Sequence, residues 1–221
     1  MEKMKDLAYY NGKITRIDDM MIPANDRGFY FGDGIYEAAM VFDYKIYALQ
    51  DHLDRMFNSA AMLRIELPYT KEEVGALLNS MVQKLESGCQ FLYWQVTRGT
   101  SPRNHLFPGE GVSSNVGVYS KWWKGVQMSD EYRLISIPDT RFYHCNIKTL
   151  NLIPNVMAAQ QASESGCNET VFVRDGYVTE CSHSNISMVK DGVFITHPLD
   201  NLILPGTERK HVIRWCGELG I

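Results

Sequence analysis

Four places along this chain carry residues whose type and setting could do chemistry. Lys148 lies in Cys145-Asn146-Ile147-Lys148-Thr149-Leu150-Asn151-Leu152, and between Arg141 and Glu164 its only company in charge is whatever His144 carries. A lysine desolvated in so apolar a stretch is a better nucleophile toward carbonyls. The ordinary alternative is a lysine whose stem packs while its head reaches water. Glu180 closes the run Tyr177-Val178-Thr179-Glu180 and is followed by Ser182, Ser184 and Asn185. A carboxylate among such orienting groups can serve a buried cation; the plainer alternative is an exposed glutamate at a strand end. Leu204-Pro205-Gly206-Thr207 runs straight into a helical pattern. Free amides at a helix start bind phosphate, although any capped helix shares that sequence signal. Arg55 lies off the apolar face of its own helical pattern, as a solvated arginine would.

Several other chemistries are excluded. Gly32-x-Gly34 has the start of a dinucleotide-binding loop, but that loop needs a third glycine at position 37 and a helix after it. Position 37 is Glu, and strand-forming residues follow. His144-Cys145 and Cys181-x-His183 do not have zinc-ligand spacing, so no metal is expected. No Gly-x-Ser-x-Gly elbow is present for a serine hydrolase.

The elements that must position these residues are legible from local signals. Asn11-Gly12 between Ala8-Tyr9-Tyr10 and Lys13-Ile14-Thr15 predicts a hairpin. Residues 28 to 34 read as a glycine-rich turn before strands over Ile35 to Leu49, with a turn at Asp43-Tyr44-Lys45. A helix capped by Asp51 follows, with Leu53, Met56, Phe57, Ala60 and Leu63 on one face. Thr70 and Glu73 form a capping box for a second helix, which Gly88 ends. Phe91 to Thr97 is a buried strand. Residues 99 to 115 form a long loop of the kind that is often functional.

A domain boundary is placed near Ser120, after the strand Val116-Gly117-Val118-Tyr119, giving a small α/β domain at 1–120 and, at 121–221, what is expected to be the larger domain with its C-terminal part missing. In the second, Arg133 to Ile137 is a strand, and Pro154 and Gly166 bracket a helix. Asp175-Gly176 and Asp191-Gly192 make tight hairpins, and a last helix runs from Thr207 to Gly220. The chain ends one apolar residue later, before the second domain has had room to complete a sheet, so sequence is expected to be missing there.

Composition bounds the rest. With 221 residues, 45% of them hydrophobic, the chain can bury a real core. Its formal charge of -4 and lack of a basic stripe argue against nucleic acid. No apolar run is long enough to span a bilayer, and the charged start is not a signal peptide. Five scattered cysteines suit free thiols in a reducing cytoplasm.

Taken together, the order and spacing of these stretches resemble the fold type IV pyridoxal-phosphate enzymes, the class-IV aminotransferases, and within them the D-amino acid branch. The resemblance runs from about Tyr10 to the last residue. It is carried by Asp26-Arg27-Gly28, Phe31-Gly32-Asp33-Gly34-Ile35-Tyr36-Glu37, His52-Leu53-Asp54-Arg55, Val96 to His105, the Lys148 stretch and Thr179 to Asn185. It implies a two-domain α+β or α/β fold that binds pyridoxal 5′-phosphate. It makes Lys148 the Schiff-base lysine and catalytic base, Glu180 the partner of the pyridinium nitrogen and Arg55 a phosphate ligand. Leu204 and the Gly206-Thr207-Glu208 backbone belong to the cofactor cup. Tyr36, Arg103 and His105 resemble the trap for the substrate carboxylate, and the loop carrying Arg103 and His105 is implied to reach the active site of the other subunit of a homodimer. The substrates implied are D-amino acids and 2-oxo acids, D-alanine and 2-oxoglutarate giving pyruvate and D-glutamate. Glu208 departs from the family pattern, which has Thr there, and family chains continue past this C-terminus. The alternatives are a branched-chain L-aminotransferase, an aminodeoxychorismate lyase or a truncated remnant without turnover. Arg103-x-His105 argues against the first two.

Overall fold

The computed structural model describes residues 3–125 and 131–221. They cluster into two compact units, Met1–Val126 with Lys148–Asn151 and Gln127–Ile147 with Leu152–Ile221. The four residues around the lysine thus belong with the N-terminal unit, although the sequence on both sides of them belongs to the other.

The N-terminal unit is built on one six-stranded antiparallel sheet. Its strands are β1 (Asp6–Tyr10), β2 (Lys13–Thr15), β3 (Gly34–Phe42), β4 (Lys45–Ile46), β5 (Gln90–Thr97) and β6 (Asn115–Trp122), in the order β2-β1-β6-β5-β3-β4. Asn11 and Gly12 both take positive φ, 43° and 93°, which lets a two-residue turn join β1 to β2. Asp43 and Tyr44 do the same between β3 and β4. Alternation along β5 sends Leu92, Trp94 and Val96 into the core. Helices α2 (Leu49–Met62) and α3 (Lys71–Val82) supply Leu53, Met56, Ala60, Leu78 and Met81 to that core.

Three boundaries differ from expectation. The stretch read as a glycine-rich turn holds a one-turn helix, α1 (Arg27–Phe31), capped by the Asp26 side chain and closed by Gly32 in the left-handed region. Asp51 does not cap α2; Ala48 does, at φ 48°, and Asp51 sits inside the first turn, where its charge suits the helix dipole. Helix α3 begins at the expected Thr70–Glu73 capping box but ends at Val82, not at Gly88. Gly88 instead gives its carbonyl to Tyr44 N–H at 3.2 Å.

The second unit contains a three-stranded sheet of β7 (Leu134–Pro138), β8 (Glu169–Arg174) and β9 (Tyr177–Cys181), and a separate hairpin of β10 (Ser187–Lys190) and β11 (Val193–Thr196). β7 and β8 are parallel, β8 and β9 antiparallel. Asp175-Gly176 and Asp191-Gly192 form the two tight turns, each with an Asp at φ 52°. Helix α4 (Ile153–Glu164) carries Pro154 in its first turn, and α5 (Thr207–Leu219) ends on Gly220 at φ 76°.

Candidate active site

The residues that could do chemistry fall into two groups, one in each unit. In the N-terminal unit Lys148 is seated on β3. The Tyr36 N–H donates to the Lys148 carbonyl at 3.0 Å, and the Leu150 N–H donates to the Gly34 carbonyl at 3.1 Å. Thr149 pairs across from Ile35, and the Lys148 N–H donates to Ser59 Oγ of α2 at 3.3 Å. Asn151 closes the segment by donating to the Gly32 carbonyl at 3.0 Å. Two glycines make this docking possible. A Cβ on Gly34 would lie 2.8 Å from a Leu150 methyl, and one on Gly32 would lie 3.0 Å from Asn151 Oδ1.

With its backbone fixed, the half-buried Lys148 places Nζ 4.2 Å from the centre of the Tyr36 ring. Tyr36 stacks on Tyr93 at 5.6 Å, and Tyr93 stacks on Tyr119 at 4.9 Å. Burial pushes the Tyr93 and Tyr119 phenols up, so these two are neutral at ordinary pH.

Arg55 is not a solvated helix arginine. Its Nε and Nη2 fork onto the two oxygens of Glu37, each at 2.7 Å, and His52 Nδ1 lies 2.8 Å from the same carboxylate. Glu37 is fully buried. Burial would push its carboxyl up, but hydrogen bonds from Arg55 and His52 and the charges of Arg55 and Lys148 hold it below its ordinary value.

The 99–115 loop is anchored on α1. Arg27 Nη1 donates to the Asn104 carbonyl at 2.7 Å, and Asp33 accepts from both Arg27 and Arg98. The Arg103 guanidinium lies 5.1 Å from the Phe31 ring centre, and the His105 ring packs on the same phenyl at 5.1 Å. Arg103 and His105 are thus gathered on one side chain and are exposed, whereas Tyr36 meets Lys148.

In the second unit Glu180 is buried, in contrast to the exposed strand-end alternative. Arg141 Nη1 donates to its Oε1. Asn185 Nδ2 and the Leu204 N–H both donate to its Oε2 at 2.9 Å. Burial pushes the Glu180 carboxyl up against the pull of Arg141 and of the Leu204 N–H. Asn185 also donates to the Leu204 carbonyl at 3.0 Å, which ties the 204–206 turn to the end of β9. Gly206 is the N-cap of α5, and a Cβ there would lie 2.0 Å from Asn185 Oδ1. The first-turn amides of α5 have no carbonyl within the helix to bond, so the turn can receive an anion. Thr207 is buried and Glu208 exposed.

Two side chains of this second group are not singled out by the sequence. Arg141 is buried, and Asp139 beside it accepts from Arg141, Arg174 and Thr179. Asp139-x-Arg141 after a strand is too common a pattern to mark them, and Glu180, which Arg141 serves, is 39 residues away from it. His183 Nδ1 lies 2.6 Å from the buried Glu169, and no metal-binding group of three is found among the described residues.

Comparison with known proteins adds the lineage. The family model described as amino-transferase class IV matches residues 34–221. The D-alanine aminotransferase of Listeria monocytogenes serotype 4b (strain F2365) is 37% identical over 217 residues, covering 96% of this chain and 74% of that protein. The solved branched-chain amino acid aminotransferase of Escherichia coli superposes with a TM-score of 0.87 at 20% identity, over 99% of this chain and 76% of that one. The T.th. branched-chain amino acid aminotransferase solved with pyridoxamine 5′-phosphate gives 0.85 at 22% identity, over 99% and 76%. These structural likenesses speak of the fold.

Proposed function

Because this chain belongs to the class IV aminotransferases, which are pyridoxal 5′-phosphate enzymes of fold type IV, we propose that it transfers the amino group of D-amino acids, D-alanine and 2-oxoglutarate giving pyruvate and D-glutamate. The residues present suit the cofactor. Lys148 offers an amine on a pinned backbone, and Glu180 offers a buried carboxylate. At Gly206, where no side chain fits, the start of α5 offers amides to a phosphate.

When bound, pyridoxal 5′-phosphate supplies an aldehyde that condenses with amines and a ring that draws electrons from the reacting carbon. Lys148 would be the residue that holds it, and its Nζ would be the base that takes the proton from the substrate Cα. Glu180 keeps a proton on the ring nitrogen by Coulomb attraction. Arg55, with Leu204 and the Gly206, Thr207 and Glu208 amides, grips the phosphate end. Tyr36, Arg103 and His105 orient the substrate carboxylate, Arg103 through paired N–H donors. The Arg103 loop serves the site of a second copy of the chain, so the working form is a homodimer. All five cysteines are free thiols, which fits a reducing cytoplasm.

The observation that carries the reading is the seat of Lys148, an amine stitched to β3 through its own carbonyl. The D-preference rests on Arg103 and His105 sharing Phe31 and on the resemblance to the Listeria enzyme. A branched-chain L-aminotransferase is the competing reading. The decisive experiment records the visible spectrum of the purified chain with pyridoxal phosphate, before and after D-alanine, L-alanine and L-leucine. Loss of the visible band with D-alanine alone supports the proposal. Loss with L-leucine supports the branched-chain reading, and no band at all supports a chain without turnover. Lys148→Ala should abolish the band; its survival unchanged would remove Lys148 from the role.

A further inference from the structure

Arg141 has no part in the roles above, yet it joins two of them. Its side chain is 2% exposed. Nη1 donates to Glu180 Oε1, Nε and Nη2 donate to the two oxygens of Asp139 at 3.0 and 2.9 Å, and Nη2 also donates to the Leu202 carbonyl at 3.0 Å. The group is closed on its far side by Arg174, which reaches Asp139 at 3.1 Å and donates to the Arg141 carbonyl at 2.6 Å. Two guanidinium groups and two carboxylates therefore balance in one buried network.

The short segment from Leu202 to Leu204 is held by this network at both ends. Arg141 holds the Leu202 carbonyl, and Glu180 holds the Leu204 N–H at 2.9 Å. Two residues further on, Gly206 opens α5. One guanidinium thus orients the carboxylate and also fastens the chain that leads to the helix start. A planar aromatic phosphate can vary the separation between its ring nitrogen and its phosphate only within the reach of a short ester arm. A protein that grips both ends must hold its own two gripping points at a matching separation, because small displacements cost binding and rate steeply.

We infer that Arg141 is a positioning residue, fixing the Glu180 carboxylate against the Gly206–Thr207 turn so that one ligand meets both. The inference rests on the roles given to Glu180 and Gly206–Thr207 under Proposed function. A planar fork is needed for it: a lysine at 141 keeps the charge but cannot reach Asp139, Glu180 and the Leu202 carbonyl together.

The test titrates pyridoxal phosphate into the full chain and its Arg141→Lys and Glu180→Gln variants. Affinity is followed by absorbance, together with the position of the visible band and the melting temperature without cofactor. Arg141→Lys should bind the cofactor about ten-fold or more weakly, with a displaced band. Unchanged affinity and band in Arg141→Lys, alongside an altered Glu180→Gln, overturn the positioning role alone. An unchanged Glu180→Gln overturns the reading of Glu180 beneath it. Should Arg141→Lys not fold, Asp139→Asn loosens the fork from its other side and must weaken binding in the same direction; unchanged affinity there also overturns the inference.

Discussion

Tyr36 and Glu37 are neighbours in β3 and face opposite sides of the sheet. The Tyr36 ring meets the Lys148 ammonium, while the buried Glu37 carboxylate meets Arg55 and His52 of α2. Strand alternation alone produces this division. It gives Lys148 an aromatic ring as one strand neighbour, and at the next residue a buried carboxylate that the lysine's charge helps to hold down.

The Glu37 pair should therefore be felt in stability. Glu37→Gln leaves a guanidinium in a buried place without its carboxylate, and removing one partner of such a pair costs about 3–5 kcal/mol. Urea unfolding is expected to show a loss of that order. A loss under about 1 kcal/mol would mean that the pair is relaxed or hydrated in solution.

Gly206→Ala tests the turn before α5. The new methyl would sit 2.0 Å from Asn185 Oδ1, so Asn185 must move and release Glu180 and Leu204. The expected cost is about 1–3 kcal/mol of stability, as for an overpacked site. Cofactor affinity should fall with it. A variant that binds pyridoxal phosphate as tightly as the parent refutes the proposed part of this turn in holding phosphate.

Acid stability should depend on Asp139. Burial works against its charge, but Arg141 and Thr179 hold its carboxyl down at about 2, from an ordinary value of 3.8. A carboxyl depressed on folding contributes stability that is full above its unfolded value and is lost as pH falls through its folded one. The contribution, roughly 2 kcal/mol, should thus be present at pH 5 and fade between pH 4 and 2. Glu37 acts with the same sign. Urea midpoints for the parent and for Asp139→Asn check this: the variant must be less stable at pH 5 and show a shallower decline into acid. Parallel declines would contradict the assignment to Asp139.

Arg103→Ala addresses the substrate end. The side chain is exposed, so stability should stay within about 0.5 kcal/mol of the parent. Losing a charge-assisted contact worth about 1.5–3 kcal/mol should raise the KM for D-alanine about ten-fold or more. Unaltered steady-state kinetics would take Arg103 out of carboxylate recognition.

Much of this was legible in the sequence because its causes are local. Asn11-Gly12, Asp175-Gly176 and Asp191-Gly192 turn where they do because adjacent residues accept positive φ. The Thr70–Glu73 box closes within one helical turn. Other features depend on partners far along the chain. Ala48 rather than Asp51 begins α2, at a left-handed φ that nothing beside it in sequence announces. Helix α1 is a single turn, too short to show a period. Arg55 reads as solvated on its own helix, because the carboxylate it serves lies 18 residues earlier on a strand. Asp139 and Arg141 are silent in sequence for the same reason.

The stitching of Lys148–Asn151 into the N-terminal sheet also governs how the molecule can be made or divided. No single cut separates the two units, since one of them borrows four residues from beyond the other's first strand. A fragment ending at β6 would leave the Tyr36 N–H and the Gly34 carbonyl without their acceptor and donor. During synthesis all six strands of that sheet leave the ribosome before the lysine does. The lysine thus reaches its sheet only after every strand of that sheet has been made.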